Sequence, residues 1–410
     1  REYTNEPMER VRMAFVGVGA QGGGHVRNFL RMPEVEIVAV CDIRPERAER
    51  VRDWCVKDGR PEPTLYTRGE WDFVRLSENE DVDLIFNATP WRWHVPGCIA
   101  AMENGKHAAV EVPAAITNEG CWQLVEAAEK YRKHCVMMEN CCYDYHELMI
   151  LNMVRKGLFG EIIHAEGAYN HDLRGVKFNM GYEGVWRRAH SQTRNGNLYP
   201  THGLGPVAQC LNINRGDQLD YIVAMSSNSR GLQNWARDHY PEDHPFRSET
   251  YVLGDVHVDL IKTKLGRTIT LIHDTNLPRP YSRAIMMQGT RGIARKYPDP
   301  KIHIEGRSPG HGWEDMAAYK EEFEHPLWTA IQEKAKGAGH GGMDFIEDYR
   351  LIQCMLKGEP MDMDVYDAAA WSVICETSEQ SVAKRSGPID IPDFTRGRWV
   401  TRKPLGIIEG

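Results

Sequence analysis

The chain has 410 residues, of which 41% are hydrophobic and 26% are charged, and its formal net charge is −8. These values are typical of globular proteins, and the length exceeds what a single core serves, so we expect two domains. The negative charge and the lack of a basic stripe argue against nucleic acid as a partner. No apolar run reaches the 18 residues that a membrane-spanning helix needs.

Ten cysteines are scattered along the chain, without the spacing of a disulfide framework or a metal finger. Several fall within apolar stretches, where a reduced cysteine behaves as a small hydrophobic residue. We therefore expect folding in a reducing compartment. Because the sequence begins at Arg1 and not at methionine, a removed targeting segment is also considered.

Residues 12–140 alternate between strand-like and helix-like patterns, which predicts an α/β Rossmann domain with a doubly wound parallel sheet. Strands are expected over 13–18, 35–41, 83–88, 107–111 and 136–140. Helices are expected from His25 onward and over 45–57, 95–104 and 118–134. This first domain is predicted to cover residues 1–143.

The remaining residues, 144–410, have a different pattern. After a helix over 145–156, strands over 162–170, 221–227, 251–263 and 268–274 alternate as antiparallel strands with one buried face do. This predicts a C-terminal α+β domain with an open, mostly antiparallel sheet, whose exposure favours a homo-oligomer. Late helices are expected over 343–357 and 365–385, the last packing back on the body of the fold. Residues 300–342 are expected to form a long loop or insertion.

A glycine-rich turn joins the first strand to the first helix. Its cofactor-binding candidates are Gly17, Gly19, Ala20, Gln21 and Gly22. In a dinucleotide site the three glycines permit the turn, the approach of the pyrophosphate and close helix packing, and the helix N-terminus receives the phosphates. Asp42 ends the second strand, where an acid hydrogen-bonds a ribose 2′-OH and favours NAD over NADP. Arg44 is the neighbour that can instead hold a 2′-phosphate.

Three further groups follow strands at their carboxyl ends, the edge at which open α/β sheets bind ligands. They supply the other cofactor-binding candidates, namely Trp91, Arg92, Trp93, His94, Glu111, Val112 and Asn140. The tryptophans fit cofactor-side packing and substrate stacking equally well. His94 fits either a helix cap or a wall of the cofactor site.

Together these motifs resemble the Gfo/Idh/MocA family of NAD(P)-dependent sugar oxidoreductases, through GxGxxG, Thr89-Pro-x-x-x-His94 and Glu111-x-Pro113. Dehydrogenases of that family carry a lysine between the glutamate and the proline, which assists removal of the hydroxyl proton. This chain has Val112 there, and valine transfers no proton. The resemblance therefore implies the fold and the cofactor but not the usual dehydrogenase activity.

The second half resembles glycoside hydrolase family 109, the NAD-using α-N-acetylgalactosaminidases on the Gfo/Idh/MocA fold. The resemblance covers nearly the whole chain and is weakest over 232–249 and 300–339. The segments that carry it are Tyr169-Asn-His171-Asp-Leu-Arg174, Trp186-Arg187, the run from Gly196 through Tyr199-Pro200-Thr201-His202 to Pro206, the run from Gly339 to Asp344, and the run from Pro392 to Trp399.

This resemblance implies a retaining exo-glycosidase that acts on terminal α-N-acetylgalactosamine of glycans, with a tightly bound NAD recycled in each turnover. The implied steps are oxidation at C3, loss of the C2 proton, elimination of the aglycone, addition of water and reduction at C3. The implied catalytic residues are Tyr169, His171 and His202. The implied substrate-binding residues are Tyr169, Arg187, Tyr199, Pro200, Thr201, His202 and Tyr281.

Tyr169 is the candidate base for the C2 proton, and it shares one strand face with His171. Because the ordinary pKa of tyrosine is about 10, this role needs a nearby cation, either Arg187 or a protonated His171. Adjacent strand residues such as His171 and Asp172 face opposite sides, so no metal is expected. The role of His340 stays open.

Two alternatives remain, an NAD-dependent sugar dehydrogenase and a non-catalytic NAD-binding regulator. The resemblance implies a bacterial protein. Members of the family often carry a twin-arginine export signal, which would reconcile free cysteines with a periplasmic location, and the cytoplasm is expected otherwise.

Overall fold

The computed structural model describes residues 4–79, 82–181 and 184–408. The chain forms two compact units. Unit 1 comprises Arg1–Asp144, Pro326–Ala369 and Leu405–Gly410, and unit 2 comprises Tyr145–His325 and Ala370–Pro404. The first cut falls one residue from the predicted boundary. The segment Pro326–Ala369 differs from the prediction, since we expected it in the second domain.

Unit 1 contains a doubly wound sheet of six parallel strands in the order β3-β2-β1-β4-β5-β6. The strand order runs in one direction from β1 to β3 and in the opposite direction from β4 to β6. Sheets of this kind bind ligands at their carboxyl edge, at the point between β1 and β4 where the order reverses. The predicted fold class is confirmed. In chain order the elements are β1 Val11–Val16, α1 Ala20–Leu30, β2 Val35–Cys41, α2 Pro45–Lys57, β3 Thr64–Tyr66, α3 Asp72–Ser77, β4 Leu84–Asn87, α4 His94–Glu103, β5 His107–Val110, α5 Asn118–Tyr131 and β6 Cys135–Met137.

The central strand of this sheet is covered on both faces. Met13, Ala14 and Phe15 of β1 have no exposed surface, as expected where helices lie on both sides of a parallel sheet. Phe15 packs against Phe29 and Phe86, with ring centroids 5.8 and 5.4 Å away. Their burial anchors α1 on the sheet.

Helix α1 begins earlier than predicted. We expected a start at His25, but the helix already includes Ala20 and continues through Gly22, Gly23 and Gly24. Glycine is a poor helix former. Here close packing on the sheet outweighs that cost, because an added Cβ on Gly22 would lie 2.1 Å from the Gly17 carbonyl oxygen.

Unit 2 begins at α6 Tyr145–Arg155 and contains a nine-stranded open sheet in the order β14-β13-β12-β11-β7-β10-β9-β8-β15. Only β7 and β10 pair in parallel, so the predicted mostly antiparallel sheet is confirmed. The elements that follow α6 are β7 Ile162–Asn170, α7 Arg174–Lys177, α8 Gly184–Thr193, α9 Thr201–Cys210, β8 Leu219–Ser226, α10 Gly231–His239, β9 His257–Thr263, β10 Thr268–Asp274, β11 Met286–Gly289, β12 Gly292–Arg295, β13 Lys301–Ile304, β14 Glu314–Asp315 and α11 Lys320–Phe323.

The segment 300–342 is not the long loop that we expected. It contributes β13, β14 and α11 to unit 2 and then α12 Pro326–Ala335 to unit 1. Its many glycines and prolines mark short turns between these elements. The apolar side chains of β13 and α11 that face inward are few, which explains why the pattern escaped sequence analysis.

The last α-helices and the last strand among the described residues are α13 Met343–Lys357, α14 Val365–Ser372, α15 Ile374–Ala383 and β15 Ile389–Asp390. The first matches its predicted bounds. The single helix predicted over 365–385 is interrupted at Val373, and α15 packs on β8, where the Ser381 hydroxyl accepts the Ala224 N–H at 2.8 Å. Helix α13 joins unit 1 because it packs on α1.

The described part of the chain contains no helix both long and apolar enough to cross a bilayer. All ten cysteines are buried, and none of them forms a disulfide bond.

Candidate functional site

The turn after β1 leaves no room for side chains at its glycine positions. Gly17 has a φ of +82°, and a Cβ there would lie 2.7 Å from the Ala88 carbonyl oxygen. Gly19 caps α1 without any side-chain hydrogen bond, and the first turn carries no acidic residue. The helix therefore presents unpaired N–H groups and a positive dipole end, the arrangement that binds a pyrophosphate.

Asp42 lies where the second strand ends and is 6% exposed. One carboxylate oxygen accepts the Val18 N–H and the other accepts the Arg44 N–H, each at 2.9 Å. A carboxylate oxygen accepts two hydrogen bonds, so Asp42 can hold the glycine turn and a ribose hydroxyl together. The predicted ribose contact remains a prediction.

Two arginines of α2 that sequence analysis missed lie against the same turn. Arg50 donates to the Val18 carbonyl at 2.8 Å, and the Arg47 Nη1 atom lies 3.3 Å from the position of a Cβ on Gly19. Arg47 thus brings positive charge to the expected phosphate position. Arg44, which we considered for a 2′-phosphate, is exposed. The helical spacing of these arginines was visible in the sequence, but their direction was not.

The loop after β4 is tied to the loop after β5. Trp91 donates its indole N–H to the Val112 carbonyl at 3.2 Å, and both His94 ring nitrogens lie 2.8 Å from carbonyl oxygens, those of Pro113 and Thr89. Burial lowers the pKa of His94. His94 is the first residue of α4, and its contacts here fasten two loops at the carboxyl edge.

The remaining members of that motif lie further out. Arg92 is 64% exposed at its side chain and pairs with Glu70. Trp93 packs edge-on against Trp71, with ring centroids 4.9 Å apart. These contacts do not test their predicted role in cofactor binding.

Glu111 is held by a buried imidazole that sequence analysis missed. The His25 Nε2 atom lies 2.8 Å from a Glu111 oxygen, and its Nδ1 atom lies 2.7 Å from Asp348 on α13. Asn28 donates to the same Asp348 carboxylate at 2.9 Å. No motif connects residues 25, 111 and 348, because the contact depends on α13 packing against α1.

This Glu111–His25–Asp348 group has unusual proton affinities. Burial by itself would lower the pKa of His25, but the two carboxylates outweigh burial and raise it well above its ordinary value. Burial raises the pKa of Asp348 to about 6. At neutral pH His25 is therefore an imidazolium, held between the carboxyl groups of Glu111 and Asp348.

Glu347 lies beside this group, and the donor atoms of His25, Glu347 and Asp348 are within 4.8 Å of one another. That spacing suits a metal ion in principle. Both nitrogens of His25 already face carboxylates at hydrogen-bond distance, and burial raises the pKa of Glu347 well above its ordinary value. The donor set therefore favours protons over a metal.

Asn140 follows β6 and donates to Asp344 at 2.6 Å. Asp344 also contacts His340, the residue whose role the sequence left open, at 2.7 Å. The bond to Asp344 raises the pKa of His340. Within unit 1, His340 therefore orients Asp344, and Asp344 orients the Asn140 side chain.

The residues of unit 1 fit a dinucleotide. The turn leaves no room for side chains, the helix end and Arg47 favour phosphate, and Asp42 retains acceptor capacity. Nothing in this set requires a metal.

In unit 2, a close helix–strand contact builds a second candidate site. A Cβ on Gly203 of α9 would lie 2.4 Å from the Ala168 nitrogen, and a Cβ on Gly167 of β7 would lie 2.3 Å from the Gly203 oxygen. Only glycines permit this approach. It brings Tyr169, at the end of β7, next to His202, in the first turn of α9.

Four predicted residues surround Tyr169. The ring centroids of Tyr199, His202, His171 and Tyr281 lie 4.5, 5.2, 5.6 and 6.3 Å from that of Tyr169. The Tyr169 hydroxyl is 3.1 Å from the His171 Nδ1 atom. The sequence predicted that His171 lies beside Tyr169 because both would share one strand face. The two side chains are neighbours, but His171 lies just beyond the last residue of β7, so that reason holds only in part.

Two basic residues of unit 2 could supply the charge that this ring cluster needs, and Arg187 is the one in contact with it. The Arg187 guanidinium lies over the Tyr199 ring at 5.1 Å. Lys177 is buried and donates to Thr275 and Asn276 at 2.8 and 2.7 Å, and burial lowers its pKa to about 7. Lys177 was not found by sequence analysis, because nothing in its surroundings marks it.

Tyr281 is held in place by a second cluster of buried charged residues. Arg283 donates to the Tyr281 hydroxyl at 3.2 Å and to Glu147 at 2.6 Å, and Lys296 also binds Glu147 at 2.8 Å. The Tyr281 side chain remains 37% exposed. Because Arg283 donates to the Tyr281 hydroxyl, the phenol oxygen is the acceptor in this contact.

The Tyr-Pro-Thr-His turn is anchored by Asn197. Its amide donates to Asp259 at 2.7 Å and accepts the Tyr199 N–H at 3.3 Å. Pro200 caps α9 and is buried, and Thr201 has no exposed surface. Their burial favours shaping of the turn, whereas direct substrate contact by these two residues remains a prediction.

Two family models match the chain. "Oxidoreductase family, NAD-binding Rossmann fold" matches residues 11–140, and "Glycosyl hydrolase 109, C-terminal domain" matches residues 143–401. The fold and the two family matches thus define a glycoside hydrolase built on an NAD-binding oxidoreductase fold, and NAD as the cofactor is confirmed.

Similar bacterial proteins extend this match over nearly the full length. A glycosyl hydrolase family 109 protein of Shewanella pealeana is 48% identical over 406 residues, 98% of this chain and 89% of the relative. A Shewanella oneidensis protein named alpha-N-acetylgalactosaminidase is 47% identical over 407 residues, 98% of this chain and 88% of the relative. This chain belongs to glycosyl hydrolase family 109, as the resemblance implied.

Solved structures share the fold at lower identity. An NAD binding oxidoreductase from Klebsiella pneumoniae has a TM-score of 0.73 at 17% identity, covering 94% of this chain and 100% of that one. A levoglucosan dehydrogenase in complex with NADH and L-sorbose has a TM-score of 0.70 at 19% identity, with the same coverage. These identities establish architecture alone.

Proposed function

We propose that this glycoside hydrolase removes terminal α-N-acetylgalactosamine from glycans with retention of configuration, through oxidation and re-reduction at C3 of the sugar. The observation that carries the proposal is the ring cluster around Tyr169, which is built from phenols and imidazoles and flanked by Arg187. The name of the Shewanella oneidensis relative supports the sugar and linkage.

Bound NAD would supply a hydride acceptor for C3 and return the same hydride at the end of the cycle, so the reaction has no net redox change. The residues of unit 1 that would hold it are the glycine turn, Asp42 and Arg47. Val112 is 4% exposed and has no ionisable group, so the lysine-assisted chemistry of family dehydrogenases is not available at this position.

The remaining steps move protons on groups of unit 2. His202 takes the proton of the C3 hydroxyl. With a ketone at C3 the C2–H becomes acidic, and the phenolate oxygen of Tyr169 removes that proton, with the hydroxyl proton of Tyr169 held on the His171 Nδ1 atom 3.1 Å away. The electron pair left on C2 expels the C1 substituent. Water then adds at C1 and gives its proton to the departed aglycone oxygen, while the proton on Tyr169 returns to C2. His202 returns its proton to the C3 oxygen when the ketone is reduced.

The other residues orient the sugar. Arg187 and Tyr199 form a cationic and aromatic wall that suits hydroxyl and acetamido groups. Tyr281, fixed by Arg283, offers its hydroxyl as a donor. By orienting the sugar, these groups hold its reacting hydrogens close to the residues that accept them.

The test uses a chromogenic aryl α-N-acetylgalactosaminide with purified protein, following aglycone release together with absorbance of NADH. We expect release without net NADH. Tyr169→Phe should lower kcat by about 10²–10⁴-fold, the usual contribution of an acid–base group. NADH accumulating with oxidised sugar would instead identify a dehydrogenase, and neither release nor reduction would identify a regulator.

A further inference from the structure

A row of polar side chains crosses the sheet of unit 2 behind Tyr169. Register pairs Tyr169 on β7 with His273 on β10, His273 with His257 on β9, and His257 with Ser226 on β8. Directly opposed residues share a sheet face. All four side chains therefore project to the same side, in one line across four strands.

The two imidazoles of the row are deeply buried. His257 has no exposed surface and His273 is 2% exposed, and their ring centroids are 6.0 Å apart. The ring centroids of His273 and Tyr169 are 6.4 Å apart. Burying two polar rings in the core of a sheet lowers the free energy of unfolding, and apolar residues at these positions would make the fold more stable.

Both imidazoles have an unsatisfied nitrogen. Their Nδ1 atoms are buried and lack a hydrogen-bond partner within the described part of the protein. Buried polar atoms are normally satisfied, and ordered water is the usual partner where protein groups are too far apart. The spacing of the rings suits bridging by water.

The far end of the row approaches the surface. The His257 Nε2 atom lies 3.3 Å from the Ser226 hydroxyl, which donates to Asn195 at 2.8 Å. Ser226 is partly exposed and Ser227 is exposed. The row thus extends from Tyr169, which is 7% exposed, to a partly exposed residue on the far strand.

Both imidazoles of this row are held in their neutral form. Burial lowers the pKa of His257 to about 4. Burial, followed by the charges of His257, Lys177 and Arg187, lowers the pKa of His273 well below its ordinary value. Both rings are therefore neutral at pH 7, and a neutral imidazole has one donor and one acceptor nitrogen. Each can accept a proton at one nitrogen while releasing one from the other.

We propose that Tyr169, His273, His257 and Ser226 form a proton relay that exchanges the hydrogen on the Tyr169 hydroxyl with solvent during turnover. This rests on the proposed function. Tyr169 takes the C2 proton, and that proton passes to His273. His273 passes its own proton to His257, and exchange with water occurs at Ser226. A solvent-derived proton travels back to Tyr169, so no net proton is gained or lost.

The relay predicts which hydrogen returns to the sugar. A substrate deuterated at C2 should yield a product from the parent protein that carries mostly solvent hydrogen at C2, measured by mass spectrometry of the released sugar. His257→Gln keeps a donor toward Ser226, but an amide does not pass protons, so the product should retain most of its deuterium. Ser226→Ala interrupts the solvent end with a smaller change and should also raise retention several-fold.

The matched control is His134→Gln in unit 1. His134 is likewise buried with an unsatisfied nitrogen, and its pKa is lowered to about 4. It should change stability but not retention. Melting temperature and NADH affinity report folding of each variant.

Equal retention in the parent, His257→Gln and Ser226→Ala would overturn the relay while leaving the glycosidase intact. Retention of deuterium by the parent would also overturn it. If no sugar is released by the parent, the proposed function fails and the relay fails with it.

Discussion

Asp348→Asn removes one charge from the Glu111–His25–Asp348 group while keeping its shape. His25 is 1% exposed at its side chain and Asp348 is fully buried, so neither charge is stabilised by water. Removing one partner of a buried ion pair costs about 3–5 kcal/mol, and the retained hydrogen bond of the amide points to the lower end. At about 2–4 °C per kcal/mol for a unit of this size, we expect the melting temperature of unit 1 to fall by about 6–12 °C.

The direction in which stability changes with pH follows from the pKa of His25. Its pKa in the folded protein is raised above the unfolded value of about 6.5, so its stabilisation is fully present below that pH. The stabilisation is lost as the pH rises through the raised value. The difference in melting temperature between the parent and Asp348→Asn should therefore be large at neutral pH and narrow at alkaline pH.

Differential scanning calorimetry across pH is the assay. The control is Asp53→Asn, since Asp53 is 67% exposed in its pair with Arg52 and such pairs contribute little. Two results would refute an ionised His25 in the folded protein. One is an equal melting temperature of Asp348→Asn and the parent at neutral pH, and the other is a difference in melting temperature that widens at alkaline pH.

Three further predictions address the cofactor, the sugar cluster and the open sheet. Arg47→Ala should weaken NADH binding by about tenfold, consistent with loss of one hydrogen bond to a charged group, as measured by fluorescence titration, and unchanged affinity would remove Arg47 from the phosphate site. Gly203→Ala should destabilise by about 1–3 kcal/mol and lower kcat because α9 must move away from β7, whereas Gly175→Ala, with open space around it, should do neither. Leu260 is 54% exposed on the open face of β9, so Leu260→Lys should reduce the mass seen by light scattering if that face mediates self-association, and an unchanged oligomer would exclude it.

Local patterns were sufficient for much of the fold. Helices over 45–57 and 343–357 and strands over 162–170 and 268–274 have the predicted bounds, because apolar periodicity is strong there. The prediction for α1 was wrong because close packing on the sheet overrides glycine propensity. The loop expected over 300–342 was wrong because short edge strands carry few buried side chains.

The site shows the same division. Gly17, Asp42 and the Tyr169 cluster could be proposed from the sequence, since each follows a strand or belongs to a recognisable motif. His25 and Asp348 could not be paired, because 323 residues separate them and no local rule links them. His273 and His257 lie on ordinary strands, and only register aligns them with Tyr169.

The sequence by itself therefore determined the class of fold, the cofactor turn and the family, because those depend on neighbouring residues and on repeating apolar spacing. The tertiary structure alone decided which charges are buried together, which arginines reach the glycine turn and which side chains line up behind Tyr169. The physical reason is that burial and hydrogen-bond distance depend on how helices pack and how strands pair. Both bring together residues that are far apart along the chain.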